Sequence, residues 1–448
     1  MSKSKSTAIG RQALLWVGML AGAAAIILGA LTWRASQRLS GKVAALRSAG
    51  DPVSIADLAP SPIPAGENAA VSLQNLSADA DAFHKAYAEF YKTPLGEALD
   101  AAEERGTPPN AEQLAAMRAI TDRYPGILDA LGRAAQCENY ASLLDFNLPS
   151  DKFFECLIQQ GGQLRAIARL AKWKAAELIA DGKPAEAAAL CIQLLRLTRL
   201  YEHEPAMTNY LIAIACRGVA VDSLNQALRA GPIPADMRAA LEKELAKSDD
   251  RADIAAMYKT ERAIGMSRFE SLFPQSTVFG WVTKWKTKDW QCDMLDYYDG
   301  VIPRTASPWY QTRGSINTGL PQSSGASGTL VSLLFPAVQA VYQASNRDQA
   351  LLRCLRILNA LQDYQAIHGQ EANGLTDLPL SPKATIDPFS GAPLKLKKTP
   401  EGWIIYSVMN NGIDDNGDFQ DMKDWGLAPA GSGKDKPTAD GDQQNAGQ

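Results

Sequence analysis

The first pattern along the chain is a run of apolar residues. From Gln12 to Trp33 the sequence reads QALLWVGMLAGAAAIILGALTW with no charge, and Arg11 and Arg34 close it. A helix needs about 20 such residues to cross the hydrocarbon core of a bilayer. Residues 12–33 are therefore expected to form a transmembrane helix, preceded by an N-terminal tail over 1–11. Trp16 and Trp33 stand near its ends, where indole rings favour the membrane–water boundary. A cleaved signal peptide is the rival reading. Its apolar core usually runs about 7–15 residues and leads into a small-x-small site. Here the run is longer, and Thr32-Trp33-Arg34 offers no such site. Residues 34–75 follow as a juxtamembrane segment and linker, rich in Pro, Ser and Gly and lacking periodicity.

Helical spacing then dominates, and a helical body is expected over residues 76–300. Phe83, Tyr87 and Phe90 share one face of a helix over 80–91. Asn110 with Gln113 has the spacing of a capping box ahead of the stripe Leu114, Met117 and Ile120, and Pro125 ends that helix. Periodic patterns over 157–180 and 185–201 are joined by Asp181-Gly182-Lys183-Pro184, a turn signal, so an αα-hairpin is expected. No second copy recurs at a fixed period, which argues against a repeat array. Helices over 207–230 and 234–247 continue the body. From Phe279 to Tyr298 the chain is aromatic, with Lys284, Lys286 and Lys288 interleaved. Such a helix fits either a membrane interface or partner, or a core position with a solvated lysine edge. Residues 301–347 read as a loop-rich connection and the start of a helix.

Residues 348–427 change character. A helix over 348–368 carries Leu351, Leu355, Leu358, Leu361 and Tyr364 on its apolar face and ends at Gly369, a plausible cap. Two short alternating segments, PLKLKK and WIIYSV, predict an antiparallel hairpin through Thr399-Pro400-Glu401-Gly402. An acidic loop, NNGIDDNGDFQDMKDW, follows. Beyond Leu427, residues 428–448 have the composition of a disordered tail. The fold class expected is mainly α: an N-terminal transmembrane helix, a helical-hairpin body, and a small C-terminal α+β module with a helix on an antiparallel sheet.

Composition narrows the chemistry. The net charge is -4, so no basic surface for nucleic acid is implied. The six cysteines contain no CxxC pair, and the three histidines are scattered, which leaves zinc and triad chemistry without support. The cysteines read as buried small apolar residues, with a disulfide or two open to an exported protein. No nucleotide loop, nucleophile elbow or HExxH motif occurs. Glu202 and Glu204, flanking His203, read as exposed charges at a helix end; Arg262 and Asp296 are ion-pair candidates.

The order of motifs over 348–427 resembles the globular domain of the major pseudopilin of type II secretion. The positions carrying the resemblance are Tyr364 with Gly369, Gly374-Leu375, Asp387-Pro388-Phe389, Tyr406-Ser407, and Asp421 with Trp425. The chain as a whole, with its anchor and the Ile63-Pro64…Glu67-Asn68-Ala69-Ala70 segment, is similar to a group of uncharacterised single-pass bacterial membrane proteins. The anchor lies far upstream of the module, so the resemblance does not imply assembly into a pilus. It does imply a calcium loop. Calcium takes six to eight oxygens, and Asn411, Asp414, Asn416, Asp418 and Asp421 are the candidate ligands, with Asn411 standing where the family has Asp. It also implies an inner-membrane protein with its C-terminal body on the extracytoplasmic side. The charge count, Lys3, Lys5 and Arg11 before the span against Arg34, Arg38, Lys42 and Arg47 after it, is balanced.

The function expected is a membrane-anchored envelope scaffold or binding protein with a protein partner, calcium-stabilised at its C-terminal module. The alternatives are an accessory component of a type II secretion or pilus-like system, and an enzyme with a site built from scattered carboxylates.

Overall fold

Helix α1 runs unbroken from Lys3 to Ser48, so the apolar span and the charged stretch behind it form one rod. The computed structural model describes residues 3–249, 254–272, 278–305, 307–312 and 326–430. The part of α1 from Trp16 onward is long and apolar enough to cross a membrane, and none of its apolar window is buried. Behind it, Ala35, Leu39, Val43 and Leu46 recur at helical spacing and are buried or half-buried. They pack on α12, Val278–Thr305. Arg38 pairs with Asp296 at 2.8 Å and Lys42 joins the same carboxylate. The stretch after the span, expected as linker, is helix to Ser48 because this stripe has a partner.

Residues 51–73 also differ from a free spacer. They form a strap across the body. Asp51 binds Lys259 at 2.9 Å and Arg262 at 2.7 Å. Val53 and Ile55 are buried, and the Ile55 amide donates to Ser267 Oγ at 3.0 Å. Asn68 caps the short α2, Ala69–Leu73, and its amide side chain bonds both the N–H and the C=O of Ala141. These contacts satisfy backbone groups that a solvated linker would leave to water.

The body follows as α3 (Ser77–Phe90), α4 (Pro94–Glu104), α5 (Ala111–Thr121), α6 (Pro125–Ala134), α7 (Ser150–Ala180), α8 (Pro184–Tyr201), α9 (Met207–Ala230), α10 (Ala235–Asp249) and α11 (Ile254–Leu272). The Asn110–Gln113 capping box forms, and Pro125 opens α6 at its first position, where a missing N–H costs nothing. The α7–α8 hairpin turns at Gly182, whose φ of 73° favours glycine. Phe83, Tyr87 and Phe90 surround the fully buried Trp173 of α7, with ring centroids 4.9–6.2 Å away. Helix α9 is also apolar enough to span a bilayer, but 61% of its window is buried; it is the central core helix, against α7, α8 and α14.

After α12 come α13, Trp309–Thr312, and the long α14, Ala326–His368, which ends at Gly369 with φ 70°. Three antiparallel strands close the chain in the order β1 (Lys395–Thr399), β2 (Gly402–Ser407), β3 (Trp425–Leu427). The fold is thus mainly α with a small C-terminal antiparallel sheet. Residues of α14 such as Leu351, Leu355 and Leu358 share one apolar cluster with Leu224 and Leu228 of α9, Leu241 and Leu245 of α10, and Ile405 and Leu427 of the sheet. Helix α14 therefore belongs to body and module at once, and the core is continuous between them. The Ala428 carbonyl accepts from Asn225 at 3.1 Å; of the tail expected over 428–448, residues 431–448 lie outside the described residues. Part of the 301–347 connection, residues 313–325, lies outside them too. None of the six cysteines is in a disulfide; five are buried and Cys156 is half-buried.

Candidate functional site

The acidic loop after β2 is held by hydrogen bonds to its own backbone and by lysines. Asp414 accepts from Tyr406 Oη at 2.8 Å and from the Asn416 amide at 3.1 Å, and lies 3.3 Å from Lys395 Nζ. These contacts outweigh its partial burial and hold its carboxyl below the usual range. Asp418 accepts from Gln420 N and pairs with Lys423, each at 3.1 Å. Asn411 bonds Asp415 and the Ile413 amide. Asn416 has φ 64° and offers its carbonyl to Lys397 at 2.9 Å. Asp421, with φ 52°, is exposed. The five candidate ligands thus share a loop without converging. Among the described residues no three His, Cys, Asp or Glu side chains gather as a metal-holding group.

The sequence reading missed Asp424. It is fully buried at the base of the loop. Its Oδ2 accepts from the Gly417 amide at 2.8 Å, while Oδ1 is buried without a hydrogen-bond partner. Burial, aided by the neighbouring Asp415 and Asp414 charges, pushes its carboxyl up to about 6.

Asp387, from the Asp-Pro-Phe motif, is buried and ties that turn to the end of β2. Its carboxylate accepts from Ser407 Oγ at 2.7 Å, Phe389 N at 2.9 Å, Ser390 Oγ at 3.0 Å and Val408 N at 3.2 Å. Of the motif positions quoted from sequence, Asp387, Phe389 and Ser407 thus meet, in a structural role.

Two further buried charges lie in the body. Arg217 of α9 is fully buried between Glu202 and Asp348. Burial opposes its charge, yet the two carboxylates raise its pKa. Glu204, read from sequence as an exposed helix-end charge, is buried, as are its neighbours Pro205 and Ala206, the latter with φ 82°. It accepts from Ser142 Oγ at 2.9 Å, and burial raises its carboxyl to about 7. Ser142 also lines an open groove of about 400 Å³ between residues 59–63 and 141–147. A lone carboxyl supplies half of an acid–base pair at most. A larger concavity of about 620 Å³ lies beside α14, lined by Tyr342, Asn346, Arg353 and Lys383 among others. His203 is exposed and joins neither site.

Among the described residues, α1 carries an exposed apolar stretch. Trp16, Leu20, Ile26, Ile27 and Trp33 are 59–75% exposed, a continuous apolar surface that a soluble helix does not keep. Comparison of the chain with family models, with curated proteins and with solved structures gave no match.

Proposed function

We propose that this chain is a membrane-anchored scaffold or binding protein of the bacterial envelope, fixed in the inner membrane by α1 with its body on the extracytoplasmic side. The observation that carries the reading is the division of α1. Between Trp16 and Trp33 it exposes apolar side chains, while its last third docks on α12 through Leu39, Val43, Leu46 and the Arg38–Asp296 pair. A signal sequence is removed from the mature chain; a rod that enters the core of the body is suited to remain. The binding role draws on the open groove at residues 59–63 and 141–147 and the exposed Leu143 on its rim. The outward orientation draws on the pseudopilin-like order of motifs over 348–427. Protease added to spheroplasts tests it: residues 49–430 are expected to be degraded, and their protection places the body in the cytoplasm.

Calcium is a second proposal, for the acidic loop. One observation favours it: the buried, unpartnered Oδ1 of Asp424, an oxygen that a cation would satisfy. Asp414 and Asp418 would have to exchange Lys395 and Lys423 for the ion, so weak binding in the range of extracellular modules, about 10⁻⁴–10⁻³ M, is expected.

A further inference from the structure

We propose that the start of α12 enters the membrane that α1 crosses, and that Lys284, Lys286 and Arg34 engage anionic phospholipid head groups at its edge. The proposal rests on the reading of α1 as the anchor. The register of the two helices fixes the depth. Lys288 Nζ donates to Ser36 Oγ at 2.8 Å, Arg38 reaches Asp293 at 3.6 Å and Asp296 at 2.8 Å, and Lys42 meets Asp296. Numbers rise together on both helices, so they run parallel. Both advance 1.5 Å per residue, which sets positions 278–287 of α12 beside positions 24–33 of α1, the last part of the apolar span. The exposure of α1 agrees: Leu28, Leu31 and Thr32 are partly covered, whereas Ile26 and Ile27 are open.

Charge is sorted along this axis. Residues 278–283, VFGWVT, carry none. Lys284, Lys286 and Lys288 follow, level with positions 30–34 where the apolar span gives way to Arg34, and Lys286 stands over the Trp285 ring at 5.5 Å. The acids Asp289, Asp293 and Asp296 come only afterwards, on the water side, facing Arg38 and Lys42. The core-facing positions of this helix are Thr287, Gln291, Cys292 and Leu295, all buried. The lysines occupy other faces, with Lys286 exposed. An apolar end beside the span, followed by an indole and cations at the level where the span ends, matches the layered polarity of a bilayer boundary. A lysine edge facing bulk water has no reason to stop at the level where the transmembrane span ends.

The test uses full-length protein in vesicles, with a benzophenone amino acid placed singly at Leu20, Trp285 or Glu104. Vesicles are phosphatidylcholine alone or with phosphatidylglycerol. Lipid adducts are expected at positions 20 and 285 and at background level at 104. Phosphatidylglycerol is expected to raise the yield at 285 severalfold, and Lys284→Glu with Lys286→Glu to remove that rise without changing position 20. Adducts at 20 with only background at 285 would overturn this proposal and leave the anchor standing, as would a yield at 285 indifferent to phosphatidylglycerol. Loss of adducts at 20 as well would overturn both.

Discussion

The Ser407 hydroxyl at the end of β2 donates to the buried Asp387 carboxylate at 2.7 Å, joining a turn and a strand that lie twenty residues apart in sequence. The same carboxylate receives Phe389 N and Val408 N. Asp387→Ala would strand these buried donors, each at about 1–3 kcal/mol. Partial relaxation leaves an expected loss of about 3 kcal/mol, read as a lowered thermal midpoint of the full chain in detergent. Ser407→Ala removes one donor of several and is expected to cost less. Equal midpoints for wild type and Asp387→Ala would refute the role.

Arg217 is expected to be the most sensitive charge in the body. Removing one partner from a buried ion pair costs about 3–5 kcal/mol, and Arg217→Ala would leave Asp348 buried and Glu202 half-buried without their cation. Arg217→Ala combined with Asp348→Ala is expected to be less destabilised than the sum of the singles, because the two changes remove the same Arg217–Asp348 contact. Denaturant melts of the four proteins measure the coupling; additivity would contradict the geometry.

Glu204 predicts a pH dependence. Its folded pKa, about 7, lies above the ordinary value of 4.5, so the native state holds the proton more tightly than the unfolded chain. Between these values unfolding releases a proton, and stability falls as pH rises. The contribution is complete below about pH 4.5 and is lost through pH 7, about 3 kcal/mol in all. Asp424, raised to about 6 from 3.8, acts in the same direction. Glu204→Gln keeps an acceptor for Ser142 and cannot ionise. It is expected to match wild type at pH 5 and exceed it at pH 8, with a shallower fall of melting temperature between them. Parallel melting curves across that range would reject the assignment.

Calcium binding would show as a higher melting temperature of the full chain in millimolar calcium than in chelator. Asp418→Ala with Asp421→Ala, or Asp424→Asn alone, is expected to remove the difference. Identical melting with calcium and chelator in the wild type would remove calcium from the account and leave the sheet untouched.

What the sequence disclosed follows range. The turn at Gly182, the Asn110 capping box and the β1–β2 hairpin depend on neighbours a few residues apart, and each forms where its motif stands. The strap was legible only as composition, because Asn68 acquires its partner Ala141 from a loop 73 residues away. Glu204 looked exposed because a helix-end position says nothing of what packs around it. The early start of α14 at Ala326 was hidden by the glycine and serine around it. In the candidate site, the sequence located the acidic loop but not its arrangement. The lysines that neutralise it come from β1, Lys395 and Lys397, as well as from Lys423 within it. Its one buried carboxylate, Asp424, fell outside the chosen ligands.

The claim that everything else depends on is that α1 stays in the membrane as part of the mature protein. Alkaline carbonate extraction of native membranes, followed by intact-mass and N-terminal analysis of the pellet, tests it most directly. The account predicts that the protein remains in the pellet with residues 12–33 attached. Release into the supernatant, or a mature N-terminus beyond Trp33, would contradict it.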